Sequence, residues 1–205
     1  MSLFKKDKYP PHIQDQDLSA AKQILIFLWE VFKVVVISLA IIVPVRYFLI
    51  KPFYVKGASM EPSFFDHEYL IINEIGYRLG EPERGDVVVF RYPFDTSQFF
   101  IKRVIGLPGE KVRVGDGQVF IFNAKYPNGM LLEEDYLAEG TLTLGDVEVT
   151  LKSDEYYLLG DNRLHSLDSR AFGPVKREYV VGKTLWRGWP VNRIGILTNN
   201  LNYNL

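Results

Sequence analysis

The 205-residue chain carries 24 Lys+Arg against 25 Asp+Glu, three histidines and no cysteine, for a net charge of −1. Without cysteine there is no disulfide framework, no thiolate metal site and no cysteine nucleophile, and the scattered His12, His67 and His165 argue against a metal centre, so neither metal nor cofactor is expected. The absence of a basic excess argues against nucleic acid as a partner, and the length suits one domain with its own core.

Residues 1–23 read as a polar, loosely ordered tail. Residues 24–50 hold 22 apolar side chains out of 27, interrupted by Glu30, Lys33, Ser38, Pro44 and Arg46. That is long enough to cross a bilayer, which takes about 20 residues of helix. Glu30 and Lys33 are spaced to pair on one helix face, and Trp29 at one end and Tyr47 and Phe48 at the other suit the two interfaces. A buried core helix is the alternative, favoured by Pro44 and by the short uncharged run from Val34 to Val45. The stretch starts too late and runs too long for a cleaved signal peptide. Lys5, Lys6, Lys8 and Lys22 precede it, and only Lys51 and Lys56 follow closely. That bias places the N-terminus in the cytoplasm and the bulk of the chain outside.

After residue 51 short apolar runs alternate with Gly, Pro and Asp, the pattern of β-structure. Strands are predicted over 86–92, 99–105, 112–114, 119–122 and 155–159, with a turn at 107–110. Gly115-Asp116-Gly117 predicts a hairpin, and Gly145-Asp146 predicts a second one between 142–144 and 147–149. The expected fold is a mostly β extracytoplasmic domain, residues 51–205, on a single N-terminal transmembrane helix.

Three stretches carry chemistry. Ser59 lies in Gly57-Ala-Ser-Met-Glu-Pro62, where Gly57 and Ala58 allow close backbone approach; on local sequence alone it also fits an ordinary turn serine. Lys102 shares a strand face with Phe100 and Val104. Burial there would lower its pKa toward that of a base working near neutrality, although a snorkelling lysine fits the same pattern. Arg103, on the opposite face, marks a sheet end or a wetter patch. The segment from Gly160 to Gly173 (Asp161, Asn162, Arg163, Ser166, Asp168, Ser169, Arg170) is dense enough in polar groups for a buried network, or else is a solvated turn. A Ser-His-Asp triad from His165, Ser166 and Asp168 is disfavoured, because neighbours in one loop rarely converge. The hydrolase elbow Gly-x-Ser-x-Gly is not met at Ser59.

In this order behind one apolar segment, the Ser-Met-x-Pro stretch, Arg84-Gly-Asp-Val-Val-Val-Phe90, Lys102-Arg-Val-Ile-Gly-x-Pro-Gly-Glu110, the 160–173 box and Gly182–Pro190 resemble bacterial type I signal peptidases, membrane-bound proteases that use a Ser–Lys dyad. The resemblance implies Ser59 as nucleophile and Lys102 as general base, with Ser166 orienting the lysine. It implies a salt-bridged Asp168–Arg170 pair within a network of Asp161, Asn162 and Arg163. The oxyanion hole would use backbone donors at Ser59 and Gly57, since Gly57 replaces the hydroxyl residue of some members. Val55, Met60, Phe64, Phe100 and Ile101 would line pockets for small residues at −1 and −3 of an exported precursor. Phe53 and Tyr54 would meet membrane lipid. Residues 113–155 would form a small cap built from the two hairpins, and the secretion translocon is a further partner to consider. A specialised relative maturing pilus or conjugation proteins, and a membrane-tethered domain that only binds, are the competing readings.

Overall fold

Residues 20–44, 51–197 and 203 are described by the computed structural model. The expected tail therefore falls outside the described residues except for its last four, and so do Arg46, Tyr47 and Phe48. The apolar segment forms one helix, α1 (Ala20–Pro44), of 25 residues with mean hydropathy 2.5 and no buried side chain. At 1.5 Å per residue it is about 38 Å long, enough for a hydrocarbon layer of about 30 Å. Lys33 donates to Glu30 at 2.8 Å, and Trp29 stacks on Phe32 at 5.6 Å. Pro44 lies in the last described turn of the helix, where its missing N–H removes the bond to the carbonyl four residues earlier.

From residue 51 the chain is β-rich. The strands are β1 (Lys51–Tyr54), β2 (Tyr69–Asn73), β3 (Val87–Tyr92), β4 (Asp95–Gly106), β5 (Lys111–Gly115), β6 (Gln118–Phe122), β7 (Met130–Leu131), β8 (Val147–Thr150), β9 (Glu155–Leu159), β10 (Val175–Lys176), β11 (Val180–Trp189) and β12 (Gly195–Ile196). Among the described residues, eight form one antiparallel sheet in the order β1-β2-β11-β3-β4-β9-β10, with β12 added to β11, and four form a second in the order β7-β6-β5-β8. The strands predicted from sequence are β3, β4, β5, β6 and β9. β1, β2 and β11 were not predicted, although β11 lies between β2 and β3 in the main sheet.

The apolar runs follow from burial on two faces. In β3, Val88 and Phe90 join Val104, Tyr156 and Leu158 in one cluster, while Val87 and Val89 join Val55, Met60, Leu70, Ile72 and Ile101 in another. A strand covered on both sides loses its polar alternation, which is why 87–90 read as a continuous run. β9 does the same: Tyr157 and Leu159 turn toward Val112, Val114, Val119 and Ile121 beneath the second sheet.

The first predicted hairpin forms. Gly115 pairs with Gln118 across Asp116 and Gly117, whose φ angles of 55° and 76° are those of a two-residue turn that matches strand twist. The second does not. Residues 142–144 form no strand, and β8 pairs with β5 instead. Thr143 is buried, its N–H donating to Gly117 O at 2.8 Å and its hydroxyl accepting from the buried Arg163. Leu142 and Leu144 face outward as a result. Satisfying a buried guanidinium thus overrides the apolar pattern of Leu-Thr-Leu. Arg103 also departs from expectation. It is buried rather than at a wet edge, because Asp161 pairs with it (Nε to Oδ1, 2.8 Å) and the Tyr136 ring covers it at 4.1 Å.

Leu158→Ala, at a fully buried position, is expected to cost about 2–5 kcal/mol in urea unfolding. Leu185→Ala, at a position 44% exposed on β11, should stay within about 0.5 kcal/mol.

Candidate active site

Ser59 sits in the loop between β1 and β2, closed at its base where the Val55 N–H donates to Glu68 O at 2.9 Å and the His67 N–H to Val55 O at 3.1 Å. Met60 and Phe64 anchor the loop by burial in the core. Arg187 on β11 donates to Ser63 O at 2.6 Å and Arg193 does so at 3.3 Å. Both arginines pair with the buried Glu68, at 2.8 and 2.7 Å. These three residues were missed in the sequence reading. Arg187 lies within the Gly182–Pro190 stretch, but nothing local marks Glu68 or Arg193.

Lys102 comes from the middle of β4, paired with Val88 of β3, and is 3% exposed. Its Nζ lies 2.7 Å from Ser59 Oγ, donates to Ile101 O at 2.8 Å and stands 5.6 Å from the Phe100 ring centre. Burial lowers its pKa from 10.5 to about 8, against the opposing pull of the Asp168 and Asp161 charges. A substantial fraction of this amine is therefore neutral near pH 8, which gives it a lone pair to take a proton.

The 160–173 segment braces the pair. Asn162 Nδ2 donates to Ala58 O at 3.0 Å, and its backbone N–H donates to Ser59 O at 3.1 Å. Asp168 is bonded by Arg170 through Nε at 2.9 Å and Nη2 at 2.8 Å, and accepts the Gly160 N–H at 3.1 Å. Burial pushes the Asp168 carboxyl up, but Arg170 and the Gly160 N–H outweigh it and hold the group below the usual carboxylate range. Asp161 takes Arg103. Arg163 reaches Glu134 at 2.7 Å, the Tyr136 hydroxyl at 3.0 Å and Gly160 O at 3.1 Å. Gly160 itself must be glycine, since a Cβ there would come within 2.5 Å of Ser59 O.

Three expectations change. The hydrogen bond expected from Ser166 to Lys102 is not formed. Lys102 directs its bonds to Ser59 and Ile101, while Ser166 packs against the Gly160 backbone, where a Cβ would meet its Oγ at 2.1 Å. Ser166 adds a smaller stabilisation to the Asp168 carboxylate, but its Oγ completes no hydrogen bond of regular geometry among the described residues. The Gly57 N–H, expected as an oxyanion donor, is taken by Asp66 Oδ1 at 2.9 Å. The Ser59 N–H meets no acceptor among the described residues. Finally, Val55, Met60 and Phe64 are 1%, 0% and 4% exposed and belong to the core beneath the site, because loop closure requires their apolar surface there. A cleft of about 530 Å³ is lined by Ser59 and Lys102 together with Phe100 and Ile101, and by Phe53, Phe99 and Leu167, among others.

The profile of the family described as signal peptidase, peptidase S26, matches residues 28–189. The chain belongs to this family. A protein named probable signal peptidase I-2 from Synechocystis sp. is 40% identical over 178 residues, covering 83% of this chain and 78% of its own. Signal peptidase I of Leptolyngbya laminosa is 37% identical, covering 83% and 84%. Signal peptidase IB of Staphylococcus aureus is 32% identical, covering 76% and 86%. Membership in the signal peptidase family makes this chain a hydrolase, a serine protease of signal-peptide processing, with a candidate N-terminal transmembrane helix.

Because Gly160 touches the backbone of the Ser59 turn, Gly160→Ala is expected to slow precursor cleavage by about 10²-fold through misplacement of Ser59. Circular dichroism should show the β-structure retained.

Proposed function

We propose that the chain is a single-pass membrane endopeptidase in which Ser59 is the nucleophile and Lys102 the general base. The observation that carries this reading is the 2.7 Å approach of a buried, pKa-lowered Lys102 to Ser59 Oγ. The neutral amine accepts the Ser59 hydroxyl proton as Oγ attacks the scissile carbonyl. The developing oxyanion is met by the Ser59 N–H, and Lys102 returns the proton to the leaving amine. Lys102 then takes a proton from water as the water attacks the acyl-enzyme carbonyl. Returning that proton to Ser59 Oγ breaks the ester and releases the signal-peptide carboxyl product. Asp161, Asn162, Arg163, Asp168 and Arg170 hold the loop that sets this geometry, with Ser166 packed among them.

The substrates are precursors bearing signal peptides, cut after small residues at −1 and −3. Support comes from the bulky Phe100 and Ile101 in the cleft wall, which favour alanine-sized side chains. The N-terminus faces the cytoplasm and residues 51–205 act outside it, with 113–155 as a small cap. Phe53 and Tyr54 contact lipid, and the translocon delivers the precursor.

Ser59→Ala and Lys102→Ala should each reduce precursor cleavage to near background. Lys102→Arg should lose about 10²–10⁴-fold although it keeps the charge, because a guanidinium gives up no proton at working pH. Near-normal cleavage by Lys102→Arg would overturn the general-base assignment. The competent form is the deprotonated amine, so wild-type kcat/KM should rise with pH through about 8 and level off above it.

A further inference from the structure

A second groove, of about 550 Å³, opens beside the nucleophile turn, lined by Pro62, Phe65, Leu142, Leu144, Asn162 and Leu164, among others. Phe65, Leu142, Leu144 and Leu164 are 41%, 55%, 56% and 62% exposed. Single exposed leucines are ordinary, but four large apolar side chains on one groove are not. The two from the 142–144 segment are displayed for a reason already seen: Thr143 turns inward to Arg163 and forces its neighbours outward. Of the charged lining residues, Asp161 is matched by Arg103 and Arg163 by Glu134. Glu61 and Glu139 add two carboxylates, and the four large apolar side chains are the groove's main contact surface for an occupant.

We propose that this groove binds the first few residues of the precursor on the C-terminal side of the scissile bond, with apolar side chains preferred there. The inference rests on Ser59 being the nucleophile. The occupant follows from continuity. A polypeptide cut in mid-chain leaves the reacting carbonyl in two directions, and the cleft containing Lys102 takes one of them. The other direction meets Asn162, which bonds both Ala58 O and Ser59 O and also lines the second groove. Glu61 and Pro62, two and three residues past Ser59, line it as well. The enzyme would thus read mature-side sequence, in addition to the residues before the cut, through a wall supplied by the segment between β7 and β8.

The test uses the full-length enzyme in detergent and two synthetic peptides with the same signal-peptide half. One continues past the bond with four apolar residues and the other with four serines. The apolar peptide should be favoured about tenfold in kcat/KM, the range for one or two apolar contacts, and mainly through KM. In the double variant Leu142→Ser/Leu144→Ser the ratio between the two peptides should collapse to about one, and Leu164→Ser should reduce it partway. All three substitutions fall at exposed positions. A wild-type enzyme indifferent to the two peptides, a ratio retained in the double variant, or an equal loss on both peptides would overturn the groove assignment. Cleavage of either peptide by Ser59→Ala would overturn the nucleophile assignment beneath it, so the two failures are distinct.

Discussion

The site depends on a lysine held out of water. Lys102 stands in the middle of β4, with Val88 of β3 opposite and Phe100 alongside, and burial is the largest influence on its pKa. Holding such an amine near 8 instead of its ordinary 10.5 costs on the order of 3 kcal/mol of folding free energy. The sign follows from proton counts. Between those values the unfolded chain binds more protons at this group than the folded one, so stability rises with pH there, and the cost is fully present below about pH 8. The sheet absorbs this cost through burial on both faces of β3, β4 and β9.

The polar residues around Lys102 solve a second problem. Asp168 and Asp161 both pull the lysine toward its charged form, and each is tied to an arginine, Arg170 and Arg103 respectively. Pairing each carboxylate with its own cation limits its hold on the amine, while leaving it free to anchor backbone: Asp168 takes the Gly160 N–H. The same arginines reach further, Arg103 to Gly85 O and Arg170 to Arg163 O. The network therefore acts on strand ends and loops as much as on the site.

Much of this was legible in the sequence, and the misses have physical causes. β3 and β9 were readable because strands buried on both faces have continuous apolar runs. β1 and β11 were not, since Lys51-Pro52 and the Gly- and Trp-punctuated 182–189 stretch carry little alternation, and bulges interrupt the register of β11. Ser59 and Lys102 were singled out by motif and strand face. Val55, Met60 and Phe64 were misplaced because an apolar residue near Ser59 in sequence serves a core and a pocket equally well in one dimension. The inversion at 142–144 was hidden because its cause, Arg163, lies 20 residues away.

The central claim, a lysine kept neutral by burial beside Ser59, is tested most directly by titrating Lys102 itself. Selective ¹³C labelling of lysine, with the Lys102 ε-carbon assigned by comparison with Lys102→Arg, would follow its protonation by NMR across pH 6–11. The account predicts a midpoint near 8. A midpoint at the ordinary lysine value near 10.5 would contradict it.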